Sequence, residues 1–133
     1  MSATVKYLSQ EWCNEAGRLL AAEITPEKMN RISSSMSNIY KNCPDGKERF
    51  FHVKFVDGFL SVISVGEGTP PEAEFVITGD YEVFAKISRA ELGAQKALMI
   101  GKLKLKGNMV KALKLASVVD RLNKVIAKIQ AEY

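Results

Sequence analysis

The stretch from Gln95 to Leu115, QKALMIGKLKLKGNMVKALKL, most constrains how this chain can fold. Within it, residues 101–107 alternate leucine with lysine between two glycines, and this period of two predicts a short strand with one apolar and one lysine face. Asn108 is of a type that caps helices, and the apolar residues from Met109 onward recur at helical spacing. The stretch therefore predicts a strand and a helix packed on a core, with almost no side chain suited to chemistry.

The residues before position 47 predict two helices and a turn. Apolar residues at helical spacing predict a first helix from about Val5 to Ala22. Thr25 followed by Pro26 is typical of a helix start, and the spacing of the next apolar residues predicts a second helix from about Pro26 to Lys41. The segment 42–46, NCPDG, predicts the turn that ends it.

From Phe50 the apolar period changes to two, which predicts strands. Asp57-Gly58 is a strong hairpin signal, because both central residues of a type I′ turn need a positive φ. The returning strand is predicted at Phe59–Val65, and a third antiparallel strand at Ala73–Thr78. Asp80 then predicts the cap of a helix that ends near Arg89.

The remaining apolar patterns predict helices on both sides of the lysine-leucine strand. A short helical piece is expected at Gln95–Met99. The helix from Met109 is expected to run to about Gln130, because apolar residues continue at helical spacing beyond Ser117. Residues 118–133 would then form an amphipathic C-terminal helix.

The block around the lysine-leucine strand resembles the sterol carrier protein type 2 family. That family carries a sequence close to A-x-x-x-G-K-L-K-I-x-G-N-M-x-x-A-x-K-L near its C-terminus, and here Ala97, the residues 101–105, Gly107-Asn108-Met109, Ala112 and Lys114-Leu115 match it. The hairpin, third strand and capped helix upstream extend the resemblance to about residues 45–117. Before that, in residues 1–41, the resemblance implies only N-terminal helical structure.

This resemblance implies an α+β fold. The expected architecture is a mostly antiparallel sheet of five (or four) strands, covered on one face by helices, with an apolar tunnel between the two layers. The resemblance also implies that ten residues line the tunnel and hold lipid: Phe59, Val62, Phe84, Ile87, Leu98, Met99, Ile100, Leu103, Met109 and Leu113.

Length and composition place the chain among ordinary globular proteins. At 133 residues, 47% of them hydrophobic, it is expected to be a single domain, residues 1–133, with one core. It contains no apolar run of about 18 residues, and its first residues lack the apolar block of a signal peptide. The expected location is the cytoplasm.

Catalytic and metal-binding motifs are missing from the sequence. It contains no G-x-S-x-G, no H-E-x-x-H and no phosphate-binding loop. His52 is the only histidine and is expected to be a half-exposed or satisfied strand residue, and Cys13 and Cys43 are expected to be unpaired thiols. The sequence therefore predicts a protein that is not an enzyme, with no catalytic residue, cofactor or metal.

Positive charge is concentrated near the C-terminus. Residues 101–133 carry 8 basic and 2 acidic side chains, against 11 and 13 in residues 1–100. Lysines on an edge strand block pairing with other sheets, which is one interpretation. The other is transient contact with an anionic membrane surface through Lys102, Lys104, Lys106, Lys111 and Lys114. Nucleic acid is disfavoured because the region has one arginine and one aromatic residue.

Two functions fit these patterns. The first is non-catalytic lipid binding and transfer, in which a fatty acid, acyl-CoA, sterol or other isoprenoid lipid places its apolar tail in the tunnel. The alternative is a non-catalytic interaction or scaffold subunit of a lipid-modifying complex, which uses an apolar groove. The sequence leaves the oligomeric state open, and the C-terminal helix could cap the tunnel, dimerise or meet a membrane.

Overall fold

The structure of the chain is a computed structural model that describes residues 4–133, without the side chains of residues 116 and 117. It is an α+β fold, as predicted. In chain order the elements are β1 (Val5–Lys6), α1 (Gln10–Glu23), β2 (Ser34–Lys41), β3 (Arg49–Val56), β4 (Phe59–Glu67), β5 (Phe75–Asp80), α2 (Tyr81–Ser88), α3 (Ala94–Met99), β6 (Leu103–Lys106), α4 (Met109–Ile126) and β7 (Ala131–Glu132).

Five of the strands form one mostly antiparallel sheet in the order β4-β3-β2-β5-β6. The pairs β3-β4, β2-β3 and β5-β6 are antiparallel, whereas β2 and β5 run parallel. The antiparallel strand predicted at Ala73–Thr78 is observed as β5, which is antiparallel to β6 but parallel to β2. The expectation of a mostly antiparallel five-stranded sheet with helices is confirmed.

The β3-β4 hairpin turns where its sequence predicted. Asp57 and Gly58 have φ values of 50° and 81°, which are the left-handed values that a type I′ turn requires. A side chain at position 58 would also collide with the backbone, because an added Cβ would lie 2.7 Å from the Cα atom of Pro26. Glycine is thus needed here both for its conformation and for its size.

The core lies between this sheet and the helices. On β3, Phe51, Val53 and Phe55 are buried on one face, and α1 packs against β4 and against α4. The helix α1 begins at Gln10 rather than near Val5, since Ser9 caps it by accepting a hydrogen bond from the backbone N–H of Trp12. The core is therefore closed by helices on the face where the sequence placed the apolar strand residues.

On the opposite face of the sheet, Ser37 and His52 are buried side by side. The Ser37 hydroxyl lies 2.8 Å from Nδ1 of His52 and 3.0 Å from the carbonyl oxygen of Pro71. The segment between β4 and β5 therefore covers this face locally. The expectation that His52 is a satisfied strand residue is confirmed.

The predicted second helix, from Pro26 to Lys41, was wrong. Its start forms one turn, in which the Thr25 hydroxyl accepts from the backbone N–H of Lys28 at 3.2 Å. Asn30 and Arg31 then adopt left-handed φ values of 52° and 49°, which end any right-handed helix. The N-terminal part of the chain therefore contains one long helix, α1, and not two.

Residues 34–41 instead form the central strand β2. It pairs with β3 on one side and with β5 on the other. The helix-like spacing of Ile32, Met36 and Ile39 concealed an alternation in which Met36 and Tyr40 lie on the core face while Ser37 lies on the other. Serine also has a low helix propensity, so the segment had little local preference for a helix. Its pairings with β3 and β5 therefore decided its structure.

The C-terminal region also differs from its prediction. The helix α4 ends at Ile126 instead of continuing to Gln130. The last residues form β7, which pairs in parallel with β1, and the backbone N–H of Tyr7 donates to the carbonyl oxygen of Glu132 at 2.9 Å. Residues 118–133 are thus the end of α4 plus a short strand, and not a separate amphipathic helix.

The two cysteines are free, as the sequence predicted. Cys13 and Cys43 are both buried, and burial raises the pKa of each thiol. Within residues 4–133, the structure contains no helix that is long and apolar enough to cross a membrane.

Candidate functional site

Two small apolar cavities lie side by side between the sheet and the helices. The first has a volume of about 50 Å³ and the second about 40 Å³. They share five lining residues: Met36, Ile77, Ala94, Leu103 and Val119. Because one set of side chains bounds both, the two cavities are immediate neighbours between the sheet and the helices.

Strands supply one wall of this region and helices the other. The strand residues come from β2, β3, β5 and β6, and the helical residues come from all four helices, mainly α4. Helix α3 is held at this place by Asp120 of α4, whose Oδ1 accepts from the backbone N–H of Ala94 at 2.6 Å. The sheet and the pair α3-α4 therefore enclose the candidate site between them.

Larger hollows also occur, but charged side chains line them. One of about 480 Å³ is lined by Lys28, Arg121, Lys124 and Lys128 together with Glu23 and two apolar residues. The enclosed apolar pair is the better candidate for holding a ligand, since enclosure and apolar walls are what binding pockets share.

The polar groups of the enclosed site are all in the first cavity. They are Asn38, Tyr40, Ser88 and Asn123, which we call the polar end. Every described residue that lines the second cavity has an apolar side chain. Among the residues that the structure describes, none that lines either cavity carries a charged side chain.

A buried chain of hydroxyl groups supports the polar end. The Tyr7 hydroxyl lies 2.6 Å from the Ser88 hydroxyl and donates to the Tyr40 hydroxyl at 3.3 Å. Burial raises the pKa of Tyr7 and of Tyr40 above the ordinary value for tyrosine. Both phenols therefore stay protonated and neutral at physiological pH.

Four of the ten predicted lipid-binding residues line the cavities. Phe84, Ile87 and Leu103 border the first, and Leu98 and Leu103 border the second. Leu113 is partly buried in α4 but lines neither cavity.

The other five predicted residues are on the surface. Phe59 and Val62 belong to the exposed part of β4. Met99, Ile100 and Met109 lie at the end of α3 and the start of α4, where Met99 is 70% exposed. Neighbouring Val110 is 65% exposed. We call the four exposed apolar residues at the end of α3 and the start of α4 the apolar rim: Met99, Ile100, Met109 and Val110.

Sequence reasoning missed most of the cavity lining. The missed residues are Leu20, Met36, Asn38, Tyr40, Phe51, Val53, Phe75, Ile77, Ala94, Leu105, Ala112, Leu115, Val119, Leu122, Asn123 and Ile126, besides Ser88. The alternation of Met36, Asn38 and Tyr40 was the available signal for the β2 wall, and it was missed because that segment was assigned to a helix.

The five lysines of the predicted membrane-contact surface are all exposed. Lys104 and Lys106 are on β6, which is an edge strand of the sheet, and Lys102 precedes it. Lys111 forms a salt bridge with Glu74. In the part of the chain that the structure describes, Lys102, Lys104, Lys106 and Lys114 form no salt bridge.

Comparisons with known proteins agree with this architecture. A family model described as the SCP-2 sterol transfer family matches residues 16–120. "Hydroxysteroid dehydrogenase-like protein 2" of Homo sapiens is 35% identical over 80 residues, which are 59% of this chain and 18% of that protein. The chain thus spans less than a fifth of the length of the curated relatives it matches.

Solved structures match over most of the chain. A crystal structure of sterol carrier protein 2 has a TM-score of 0.80 at 22% identity, with 93% of this chain and 99% of that chain covered. A solution structure of palmitated SCP2L2 from Aedes aegypti has a TM-score of 0.60 at 22% identity, with 84% and 94% covered. These likenesses establish the fold.

Proposed function

Because the chain belongs to the SCP-2 sterol transfer family, we propose that it is a lipid-binding and transfer protein that holds an apolar tail between its sheet and its helices. The observation that carries the proposal is the enclosed apolar region in which two cavities share Met36, Ile77, Ala94, Leu103 and Val119. The palmitated relative supports an acyl tail as one ligand class.

Burial of the tail supplies enough free energy for binding. About 12 methylenes at roughly 0.8 kcal/mol each contribute about 10 kcal/mol. Ordering and association cost roughly 4 to 15 kcal/mol, which offsets much of this gain. At the low end of this cost about 6 kcal/mol remains, which corresponds to a Kd on the order of tens of micromolar and suits a carrier that must release its ligand.

The covering layer has to move to admit a lipid. A cavity of about 50 Å³ is much smaller than the roughly 150 Å³ of a cavity that binds benzene, and therefore too small for a lipid tail. The six residues of α3 include a single fully buried side chain, Ala97, and Asp120 joins this helix to α4. We propose that α3 moves away from the sheet together with α4, to which Asp120 joins it.

The proposed role is non-catalytic. The polar groups of the site are two amides, an alcohol and a phenol, and burial raises the pKa of the Tyr40 phenol, so this phenol stays protonated and has no basic form with which to accept a proton. No general base lines either cavity in the described part of the chain. Lipid would therefore leave the site chemically unchanged. We also propose a cytoplasmic location, which two unpaired cysteines favour.

We propose that the apolar rim and the nearby lysines make transient contact with anionic membranes. The rim residues Met99 and Ile100 directly follow Leu98, which lines the second cavity, and Met109 is one turn before Ala112, which also lines it. Lys102, Lys104, Lys106 and Lys114 would add about 1 kcal/mol each near an anionic surface. Lys111 contributes less, since Glu74 already neutralises it.

Mass spectrometry of the freshly purified protein tests the proposed function. Native and denaturing spectra should reveal a co-purified lipid, and a fluorescent fatty acid should bind with an affinity in the expected range. Val119→Trp should weaken this binding by filling both cavities, whereas Val110→Trp on the same helix should not, because Val110 is exposed. Ala94→Leu provides a milder filling variant if Val119→Trp does not fold.

A protein that is empty and that binds no fatty acid would contradict the proposal. Equal affinities for Val119→Trp, Val110→Trp and the unchanged protein would instead place the ligand elsewhere. In the first case, the scaffold role in a lipid-modifying complex becomes the better explanation, and cross-linking to a partner would be the next measurement.

A further inference from the structure

The polar groups of the enclosed site are segregated, and this segregation bears on which lipids fit. All four members of the polar end border the first cavity, and the ten described residues that border the second are all apolar. A ligand that spans both cavities would therefore meet hydrogen-bonding groups at one end and only hydrocarbon at the other.

The polar end offers hydrogen-bonding capacity on both walls. Asn38 and Tyr40 belong to β2, while Ser88 ends α2 and Asn123 lies on α4. Tyr40 and Ser88 are already linked through the hydroxyl of Tyr7. Among the described residues, no hydrogen bond occupies the side-chain amide of Asn123, which can donate and accept at once.

No opposite charge is present to receive an ionised head group. Among the described residues, the lining of both cavities contains neither lysine, arginine nor histidine. A carboxylate placed at the polar end would lose its hydration without gaining a counter-charge, which opposes its burial. An uncharged hydroxyl or carbonyl group would lose less hydration and could regain its hydrogen bonds from the four side chains.

We propose that the polar end binds the uncharged hydroxyl or carbonyl group of a neutral lipid, whose tail occupies the second cavity. The inference rests on the proposed function and specifies its ligand class. A neutral long-chain alcohol is preferred over the carboxylate of the same length. An ionised fatty acid binds in the reverse direction, with its head group outside the polar end.

Three ligands with the same tail test this specificity. The affinities of 1-hexadecanol, hexadecanoate and hexadecane are measured at pH 8 by displacement of a fluorescent acyl probe from the full chain. Hexadecanol should bind about tenfold tighter than either of the others, the effect expected of about one net hydrogen bond. The ratio of the affinity for hexadecanol to that for the fatty acid should decrease near pH 5, where protonation of the carboxyl group begins.

Variants of the polar end test whether these side chains bind the lipid head group or only stabilise the fold. Asn123→Leu and Ser88→Ala should each lower the affinity for hexadecanol by up to about tenfold and leave hexadecane bound as tightly or more tightly. Leu105→Met, in the apolar cavity, is the matched control and should change all three affinities by the same factor. Thermal unfolding of each variant verifies that it is folded.

The outcomes separate the two proposals. If hexadecanoate binds as tightly as hexadecanol at pH 8, the inference is overturned while the proposed lipid-binding function remains. The same holds if Asn123→Leu and Ser88→Ala weaken all three ligands equally. If the probe binds but none of the three displaces it, the inference fails alone, and if the probe itself does not bind, both proposals fail.

Discussion

The Nδ1 atom of His52 lies 2.8 Å from the hydroxyl oxygen of Ser37, and that oxygen lies 3.0 Å from the carbonyl oxygen of Pro71. A carbonyl can only accept, so the single hydroxyl hydrogen of Ser37 goes to Pro71. Ser37 must then accept from His52, which places the hydrogen of a neutral imidazole on Nδ1. The network therefore selects the Nδ1–H tautomer of the neutral imidazole.

Stability should depend on pH through His52. Burial first, and then the charge of Lys54, lower the pKa of this histidine below its ordinary value. The unfolded chain, with a histidine pKa of about 6.5, therefore binds the proton more tightly than the folded protein. The free energy of unfolding should be constant above about pH 7.5 and should fall as the pH decreases through about 6.5 toward 5.

Urea unfolding between pH 8 and pH 5 measures this effect. His52→Gln should give a flat profile in that window, because the carboxylates with lowered pKa values, such as Glu74 and Asp45, titrate at lower pH. The absolute stability of the variant does not enter the comparison, which concerns only the slope with pH. Equal slopes in the two proteins would contradict the assigned role of His52.

Gly79→Ala should destabilise the protein by about 1 to 3 kcal/mol, the usual cost of overpacking a core. The added Cβ would lie 2.6 Å from Cδ2 of Leu103 and 3.2 Å from Cε2 of Phe84, and both side chains line the first cavity. Gly93→Ala is the control, since its Cβ would lie at an ordinary 3.6 Å from Asp120. Denaturant unfolding of both variants checks the difference, and equal stabilities would argue against the tight packing at position 79.

Asn108→Ala should cost about 1 kcal/mol of stability through the loss of a helix cap. The side-chain oxygen of Asn108 accepts from the backbone N–H of Lys111 at 3.0 Å, at the start of α4. Asn108→Asp retains the acceptor and should keep most of the stability. Thermal unfolding distinguishes the two variants, and an equal loss in both would mean that the cap contributes little.

Replacing Lys102, Lys104 and Lys106 together by glutamine should weaken binding to anionic vesicles on the order of a hundredfold, at about 1 kcal/mol per lysine. Co-sedimentation with vesicles of phosphatidylserine and phosphatidylcholine measures this. The matched control replaces Lys41, Lys47 and Lys54, which removes the same charge from another surface. If both triple variants lose affinity equally, binding follows net charge and the proposed surface is refuted.

Local signals in the sequence predicted the elements whose structure is decided locally. The hairpin at Asp57-Gly58 and the helix capped by Asn108 required no knowledge of distant residues. The strand β2 was different, since its place in the sheet depends on pairing with β3 and β5, and β5 is distant in sequence. A segment with few strong preferences follows such pairings rather than its own spacing.

The candidate site was predicted less completely than the fold. Phe84, Ile87 and Leu103 were identified because they lie in elements whose boundaries were correct. Met99 and Met109 lie in equally well-predicted segments but are exposed. An amphipathic pattern indicates which side of a helix is apolar, but it does not show which residues at the edge of that side are buried. The polar end escaped prediction because asparagine, serine and tyrosine are common at ordinary surface positions.

The pairing of Val5 with Ala131 joins segments from opposite ends of the described chain. The two residues are far apart in sequence, so bringing them together in an unfolded chain costs much loop-closure entropy. That cost becomes small only after the intervening sheet and helices have formed. The two-residue ladder should therefore assemble late in folding and open first under stress. When it opens, the ring of Tyr7, which packs against Tyr133 at 4.6 Å between centroids, loses its outer cover.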